Sequence, residues 1–241
     1  MQLRQNNFSF IQWLLVAIIL LTTVKNTMSQ PAKDGFVQIF DGKTFKGWEG
    51  DTTIWRIENG NLVGEVTATT ILKSNTFLLW NGGQTNDFEL KVEFWISEAG
   101  NSGISYRSEL VKDVPYALRG YQADIDGKNI NTGQNYEERG RGVLAKRGEK
   151  SVLEFRQKPA KNGSAGDPDS LKQFIKINNW NELHIIAKAN KMQHFINGIL
   201  MSEITDNDKT LRKSSGILGL QVHVGPPMKT QYRNIRLKQL L

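Results

Sequence analysis

The sequence predicts an all-β fold, a two-sheet jelly-roll sandwich of the concanavalin A-like lectin and glucanase type. Three observations predict it. Short segments alternate apolar and polar residues with turn signals between them. Beyond residue 30, no stretch keeps a period of 3.6 with caps at both ends. No motif recurs at the spacing of roughly 20–50 residues that marks propellers and solenoids. Roughly ten or more strands in about 210 residues, with no closed-barrel signature, favour the sandwich.

The elements follow in order. Residues 1–29 stand apart: Arg4 opens a short positive region, Phe10 to Leu21 is apolar except for Gln12, and Thr27-Met28-Ser29 offers small residues before Gln30. The run is shorter than the roughly 20 residues a spanning helix needs. A signal peptide over 1–29 is expected, then a single jelly-roll domain over 30–241. The chain is expected to be exported, periplasmic or extracellular, with no stable membrane insertion after cleavage. Trp55-Arg56-Ile57 and Leu62-Val63-Gly64 flank Glu58-Asn59-Gly60-Asn61, a hairpin signal. Phe88 to Ile96 alternates cleanly, with Phe88, Leu90, Val92, Phe94 and Ile96 on one face and Glu89, Lys91, Glu93 and Trp95 on the other. Residues 157–170, with two prolines and two glycines, read as a long surface loop. Leu183 to Ala189, Met192 to Ile196 and Ile199 to Ile204, joined by Asn190-Lys191 and Asn197-Gly198, form a meander. Gly216 to Val224 and Gln231 to Leu237 add two strands.

The chain has 241 residues, no cysteine, 31 Lys plus Arg and 24 Asp plus Glu, for a net charge of +7. Without cysteine there is no disulfide framework, thiolate zinc site, iron–sulfur cluster, cysteine nucleophile or lipoprotein anchor. Basic clusters at Arg139 to Arg147 and Arg233 to Lys238 are short and lack interleaved aromatics, so no nucleic-acid partner is expected. No sequence feature sets the oligomeric state.

Three segments carry candidate chemistry. In Gly120-Tyr121-Gln122-Ala123-Asp124-Ile125-Asp126-Gly127, an extended chain projects Gln122, Asp124 and Asp126 from one face, about 6.5–7 Å apart. The pattern is similar to the paired-carboxylate strand of retaining glucanases, but Gln122 stands at the nucleophile position and cannot attack as a carboxylate. A polar strand face ending in an Asp-Gly turn explains the same residues without chemistry. After Gly100-Asn101-Ser102-Gly103, the chain is expected to return beside the Glu93 strand, bringing Arg107 near Glu93. Trp95, an aromatic on a polar face, suits a sugar ring. In Leu218 to Val224, Gln221 and His223 share a face, and no spacing supports a histidine metal site.

Taken in order, these segments join others. Phe36-Val37-Gln38-Ile39-Phe40-Asp41-Gly42-Lys43 with Gly47-Trp48, Phe88-Glu89-Leu90 with Glu93-Phe94, Asn101-Ser102-Gly103-Ile104 with Arg107, and Gly120 to Ile125 come first. Trp180-Asn181-Glu182, Asn197-Gly198, Gly219 to His223 and Arg233-Asn234-Ile235 follow. This series resembles the 3-keto-disaccharide hydrolase family over about residues 35–240. The resemblance implies a carbohydrate-active enzyme that acts on glycosides oxidised at C3, as a 3-keto-glycoside 1,2-lyase or 3-keto-2-hydroxy-glucal hydratase. A C3 ketone acidifies the C2 proton, so a base, an acid and a donor to the enolate oxygen suffice. The substrate partner is then an oxidised glycoside.

On this reading Glu93 or Asp124 is the base, and His223 either protonates the leaving oxygen or joins the acids in holding a divalent cation. Arg107 polarises the keto oxygen, Gln122 and Asp126 bind sugar hydroxyls, and Trp95 stacks on the ring. Glu138, in Tyr136-Glu137-Glu138-Arg139, resembles a family segment that reaches the same cleft. A divalent cation, Mg²⁺ or Ca²⁺, suits carboxylates and an enediolate. The sequence identifies no metal ligand, and Gln122 replaces the family's more usual Glu. The rival reading is a non-catalytic, lectin-like carbohydrate-binding module.

Overall fold

The computed structural model describes residues 34–240, so the expected signal peptide lies outside the described residues. The strands are β1 Val37–Gln38, β2 Trp48–Glu49, β3 Trp55–Glu58, β4 Asn61–Val66, β5 Thr76–Trp80, β6 Phe88–Ile96 and β7 Asn101–Leu110. They continue as β8 Leu118–Asp126, β9 Asn135–Glu138, β10 Gly142–Ala145, β11 Glu149–Leu153 and β12 Ala160–Ser164. After the one-turn helix α1, Pro168–Lys172, come β13 Asn181–Lys188, β14 Lys191–Ile196, β15 Ile199–Asp206, β16 Ile217–Val222 and β17 Met228–Gln239. No helix among the described residues is long and apolar enough to cross a membrane.

Backbone pairing sorts these strands into two sheets. A ten-stranded sheet runs β12-β11-β15-β14-β13-β6-β17-β4-β3, with β1 also on β17, and a seven-stranded sheet runs β10-β9-β8-β7-β16-β5-β2. In β6 every second residue is buried, as the sequence pattern requires. Phe88, Leu90, Phe94, Leu183 and Tyr232 of the first sheet share one apolar core with Ile104, Tyr121, Ile125, Leu218 and Leu220 of the second. Burying each such side chain stabilises the fold by roughly 1.5–3 kcal/mol. The β3–β4 hairpin turns at Asn59-Gly60, both at positive φ (51° and 79°), as the primed turn expected from Asn-Gly demands.

Two local expectations are corrected. Residues 157–170 are not a featureless loop: β12 pairs antiparallel with β11 at the end of the sheet, and α1 follows, capped by Asp167. Lys161, Asn162 and Gly163 show no alternation because an edge strand solvated on both faces needs none. Nor does β7 return beside β6. Both edges of β6 are taken by β13 and β17, and β7 pairs with β8 and β16 in the opposite sheet. The turn after β6 therefore carries the chain across the core, so that β6 and β7 meet face to face.

Candidate functional site

Parity along β8 decides which side chains reach the outer surface of the seven-stranded sheet. Tyr121, Ala123 and Ile125 enter the core, so Gln122, Asp124 and Asp126 point outward. Ser105 of β7 and Tyr136 of β9 pair with Gln122 from either side, and Glu138 pairs with Gly120. Gly103 pairs with Asp124. A Cβ on Gly103 would lie 2.7 Å from the Gln122 amide carbon, so this glycine makes the room that lets Gln122 lean across β7.

The amides form a chain. Ser105 Oγ donates to Gln122 Oε1 at 2.8 Å, and Gln122 Nε2 donates to Asp124 Oδ1 at 2.9 Å and to Gln221 Oε1 at 3.3 Å. From the other side Gln134 Nε2 donates to Asp124 Oδ2 at 2.6 Å. Gln221 Nε2 is buried without a hydrogen-bond partner. Burial raises the Asp124 pKa, outweighing the Gln134 and Gln122 hydrogen bonds that oppose it, and the nearby Glu138 and Asp126 charges add to the rise; the value is about 7. Burial, then Glu138 and Asp124, push the Tyr136 phenol above its usual range, so it keeps its proton at neutral pH.

The face is concave. Asn75, immediately before β5, donates Nδ2 to Glu138 Oε1 at 3.0 Å and accepts the Val224 N–H at 3.0 Å. Four strand spacings of about 4.8 Å separate β5 from β9 on a flat sheet, more than these two side chains span. The sheet must curl to bring Glu138, Asn75 and the chain at His223 and Val224 together. His223 follows β16, and its Nδ1 donates to the Val224 carbonyl, which leaves the Nε2 lone pair for another partner. At the far end of the trough, the segment 111–117 covers Phe77, Leu79 and Leu118, with Tyr116 packed against them.

Asp124, Gln122, Glu138 and His223 therefore belong to this trough, and the other expected site residues do not. Glu93 and Trp95 lie on the outer face of the ten-stranded sheet, on the opposite side of the sandwich. Glu93 accepts from Arg233 Nε and Asn234 Nδ2, both at 2.7 Å. Burial raises its pKa, but these two hydrogen bonds outweigh it and hold the carboxyl below the usual range.

Arg107 is fully buried because a bulge at its positive φ of 47° breaks the β7 alternation. Its guanidinium donates to Asn86 O, Ala189 O and Asp87 Oδ1 at 2.8–2.9 Å, not into the trough and not to Glu93. Asp126 shares the outward face, but its oxygens accept the backbone N–H groups of Ile130, Asn131 and Thr132. It closes a turn rather than offering a carboxylate to a sugar.

Sequence reasoning missed Gln134 and Tyr136. Gln134 lies just before a four-residue strand, in a segment with no alternation to read. Tyr136 sits two residues from Glu138, and that spacing alone signals a shared face.

The donor set does not fit the expected cation. Both Asp124 oxygens already accept amide N–H groups, and among the described residues no three His, Asp or Glu side chains stand close enough to share a metal ion.

The comparisons with known proteins agree with this architecture. A 97-residue stretch is 34% identical to a 3-keto-disaccharide hydrolase of Bacteroides thetaiotaomicron, covering 32% of this chain and 29% of that protein. A crystal structure of a candidate glycosyl hydrolase from Parabacteroides distasonis superposes with a TM-score of 0.56 at 21% identity, over 86% of this chain and 95% of that one. The carbohydrate-binding module CBM66 of Bacillus subtilis superposes with a TM-score of 0.52 at 17% identity, over 80% and 96% of the two chains. These superpositions support the two-sheet jelly-roll fold. The model of the 3-keto-alpha-glucoside-1,2-lyase-like domain matches residues 35–238, nearly all of the described chain, and the protein belongs to that family.

Proposed function

We propose that the trough on the seven-stranded sheet cleaves 3-keto-glycosides by elimination, with Asp124 as the general base. One observation carries the reading: a carboxylate held by two amides, with a pKa of about 7, is half ionised at neutral pH and strongly basic for its type. Asp124 takes the C2 proton, and the C–H electron pair forms the C2=C3 enediolate. That pair then becomes the C1=C2 bond as the C1–O bond breaks, and the leaving oxygen takes a proton. Water adds at C1 and a proton returns to C2, completing net hydrolysis.

Arg107 is buried elsewhere, so the neutral Tyr136 phenol is the donor to the C3 oxygen on this reading. His223 Nε2, once protonated, serves the leaving oxygen. Export through residues 1–29 belongs to the same proposal.

The test is NMR of product formation in D₂O from a 3-keto-glucoside and from its unoxidised parent, with wild type and Asp124→Asn. Cleavage of the keto substrate alone, with deuterium at C2 of the released sugar and loss of turnover in Asp124→Asn, is the expected result. Cleavage of the parent would overturn the elimination reading. Binding of the sugar without reaction across a panel of linkages would favour a non-catalytic module.

A further inference from the structure

The core holds a histidine that the proposed reaction does not use. His194 of β14 is wholly buried, and burial lowers its pKa to about 3, so the ring is neutral at any working pH. Its Nδ1 lies 3.1 Å from the Gln134 carbonyl, and its Nε2 lies 2.9 Å from the Tyr106 hydroxyl. A carbonyl only accepts, so Nδ1 carries the hydrogen and Nε2 must accept from Tyr106. The tautomer is thereby fixed. Tyr106 has one hydroxyl hydrogen, and the shorter contact to His194 takes it in preference to Asn135 Oδ1 at 3.3 Å.

The same short segment is pinned at three successive residues. Gly133 O accepts from Ser202 Oγ at 2.6 Å, and Asn135 Nδ2 donates to Ser202 Oγ at 2.9 Å. Gly133 N donates to Asp124 O at 2.9 Å. Gln134 itself lies just outside β9: its N–H donates to Asn131 O at 2.9 Å, and its carbonyl accepts the longer bond from Asp124 N at 3.3 Å. The bond from His194 therefore holds the Gln134 backbone from across the core while the Gln134 side chain grips Asp124.

We propose that His194 is a positioning residue for Asp124: locked between Tyr106 and the Gln134 carbonyl, it sets the Gln134 amide on the Asp124 carboxylate. The role rests on the reading of Asp124 as the base, but its test needs no substrate. The other groups facing Asp124 are Gln122 and Asp126 of its own strand, Gly103 of β7, and Tyr136 and Glu138 of β9. A neutral His194 adds no charge to them and acts only through Gln134. Losing its bond leaves the Gln134 carbonyl only the 3.3 Å bond from Asp124 N, lets the residue shift, weakens a hydrogen bond that favours the ionised carboxylate, and raises the proton affinity of Asp124.

The experiment follows the ¹³C resonance of the Asp124 carboxyl through a pH titration of the full chain. His194→Phe and His194→Gln remove the donor near Nδ1. His194→Asn retains an amide N–H at that place. The expected result is an upward shift of about one pH unit in the first two variants and a return toward wild type in His194→Asn. An unchanged titration in folded His194→Phe would overturn the proposal.

Should the variants fail to fold, ¹⁵N spectra of the wild-type imidazole decide. Hydrogen on Nδ1 supports the arrangement, and hydrogen on Nε2 overturns it. A shifted Asp124 titration in a chain that never turns over keto-glycosides would support this inference while overturning the proposed function.

Discussion

Gln122 and Asp124 stand two residues apart on β8 and project from one face, and Gln122 Nε2 donates to Asp124 Oδ1 at 2.9 Å. An amide here gives the carboxylate a donor where a glutamate would give it a second negative charge. Gln122→Glu removes the donor and adds repulsion, and both raise the proton affinity of Asp124. The expected outcome is an acid limb of kcat/KM moved upward by about one pH unit, with turnover at pH 6 reduced about tenfold. A pH–rate profile on a 3-keto-glucoside checks it; an unmoved limb would count against the pair.

Gly103 is required for that pairing. A methyl group there would lie 2.7 Å from Gln122 Cδ and Nε2, so the amide must move off Asp124 or the strands must part. Gly103→Ala is expected to lower kcat with little change in KM, and to destabilise the fold by about 1–3 kcal/mol through overpacking. Steady-state kinetics beside a urea titration separates the two effects. Full activity in the variant would show that the Gln122 position does not matter.

Asp124 also ties stability to pH. Its folded-state pKa of about 7 lies above the 3.8 of a free aspartate, so between these values the folded chain keeps a proton that the unfolded chain has released. Its contribution is therefore fullest below about pH 4 and declines as pH rises to 7, by at most about 4 kcal/mol. Asp124→Asn cannot ionise and escapes this loss. Its Tm minus that of wild type is expected to grow between pH 5 and pH 8, as turnover disappears. Parallel Tm curves would show that Asp124 titrates normally.

Alternation made much of the fold legible. The bounds read for β6, Phe88–Ile96, are those of the strand, and the Asn59-Gly60 and Asn197-Gly198 turns sit where the sequence marks them. The same rule placed Gln122 and Asp124 on one outward face. It was silent on which strands pair, because the exposed rows of β6 and β8 look alike in sequence while facing opposite sides of the sandwich. Glu93 and Trp95 were therefore grouped with Asp124 on chemistry alone. Arg107 was misplaced for a different reason: one left-handed residue reverses the side on which a side chain emerges, and a non-glycine residue gives no warning of it.

Arg107 offers a sharp contrast between a structural and a chemical role. Burial lowers its pKa, the Asp87 charge partly opposes this, and its donors serve the Asn86 and Ala189 carbonyls and Asp87. Arg107→Met retains bulk but leaves those acceptors unmatched, which is expected to cost about 3–5 kcal/mol and lower the Tm accordingly. Below that Tm, kcat per folded molecule and its pH profile are expected to match wild type. Had Arg107 polarised a keto oxygen, the loss would fall on kcat while the Tm held. Measuring both on one preparation decides between them, since a buried guanidinium that serves Asp87, two carbonyls and the Met192 sulfur has no route to the reacting carbon except through the fold.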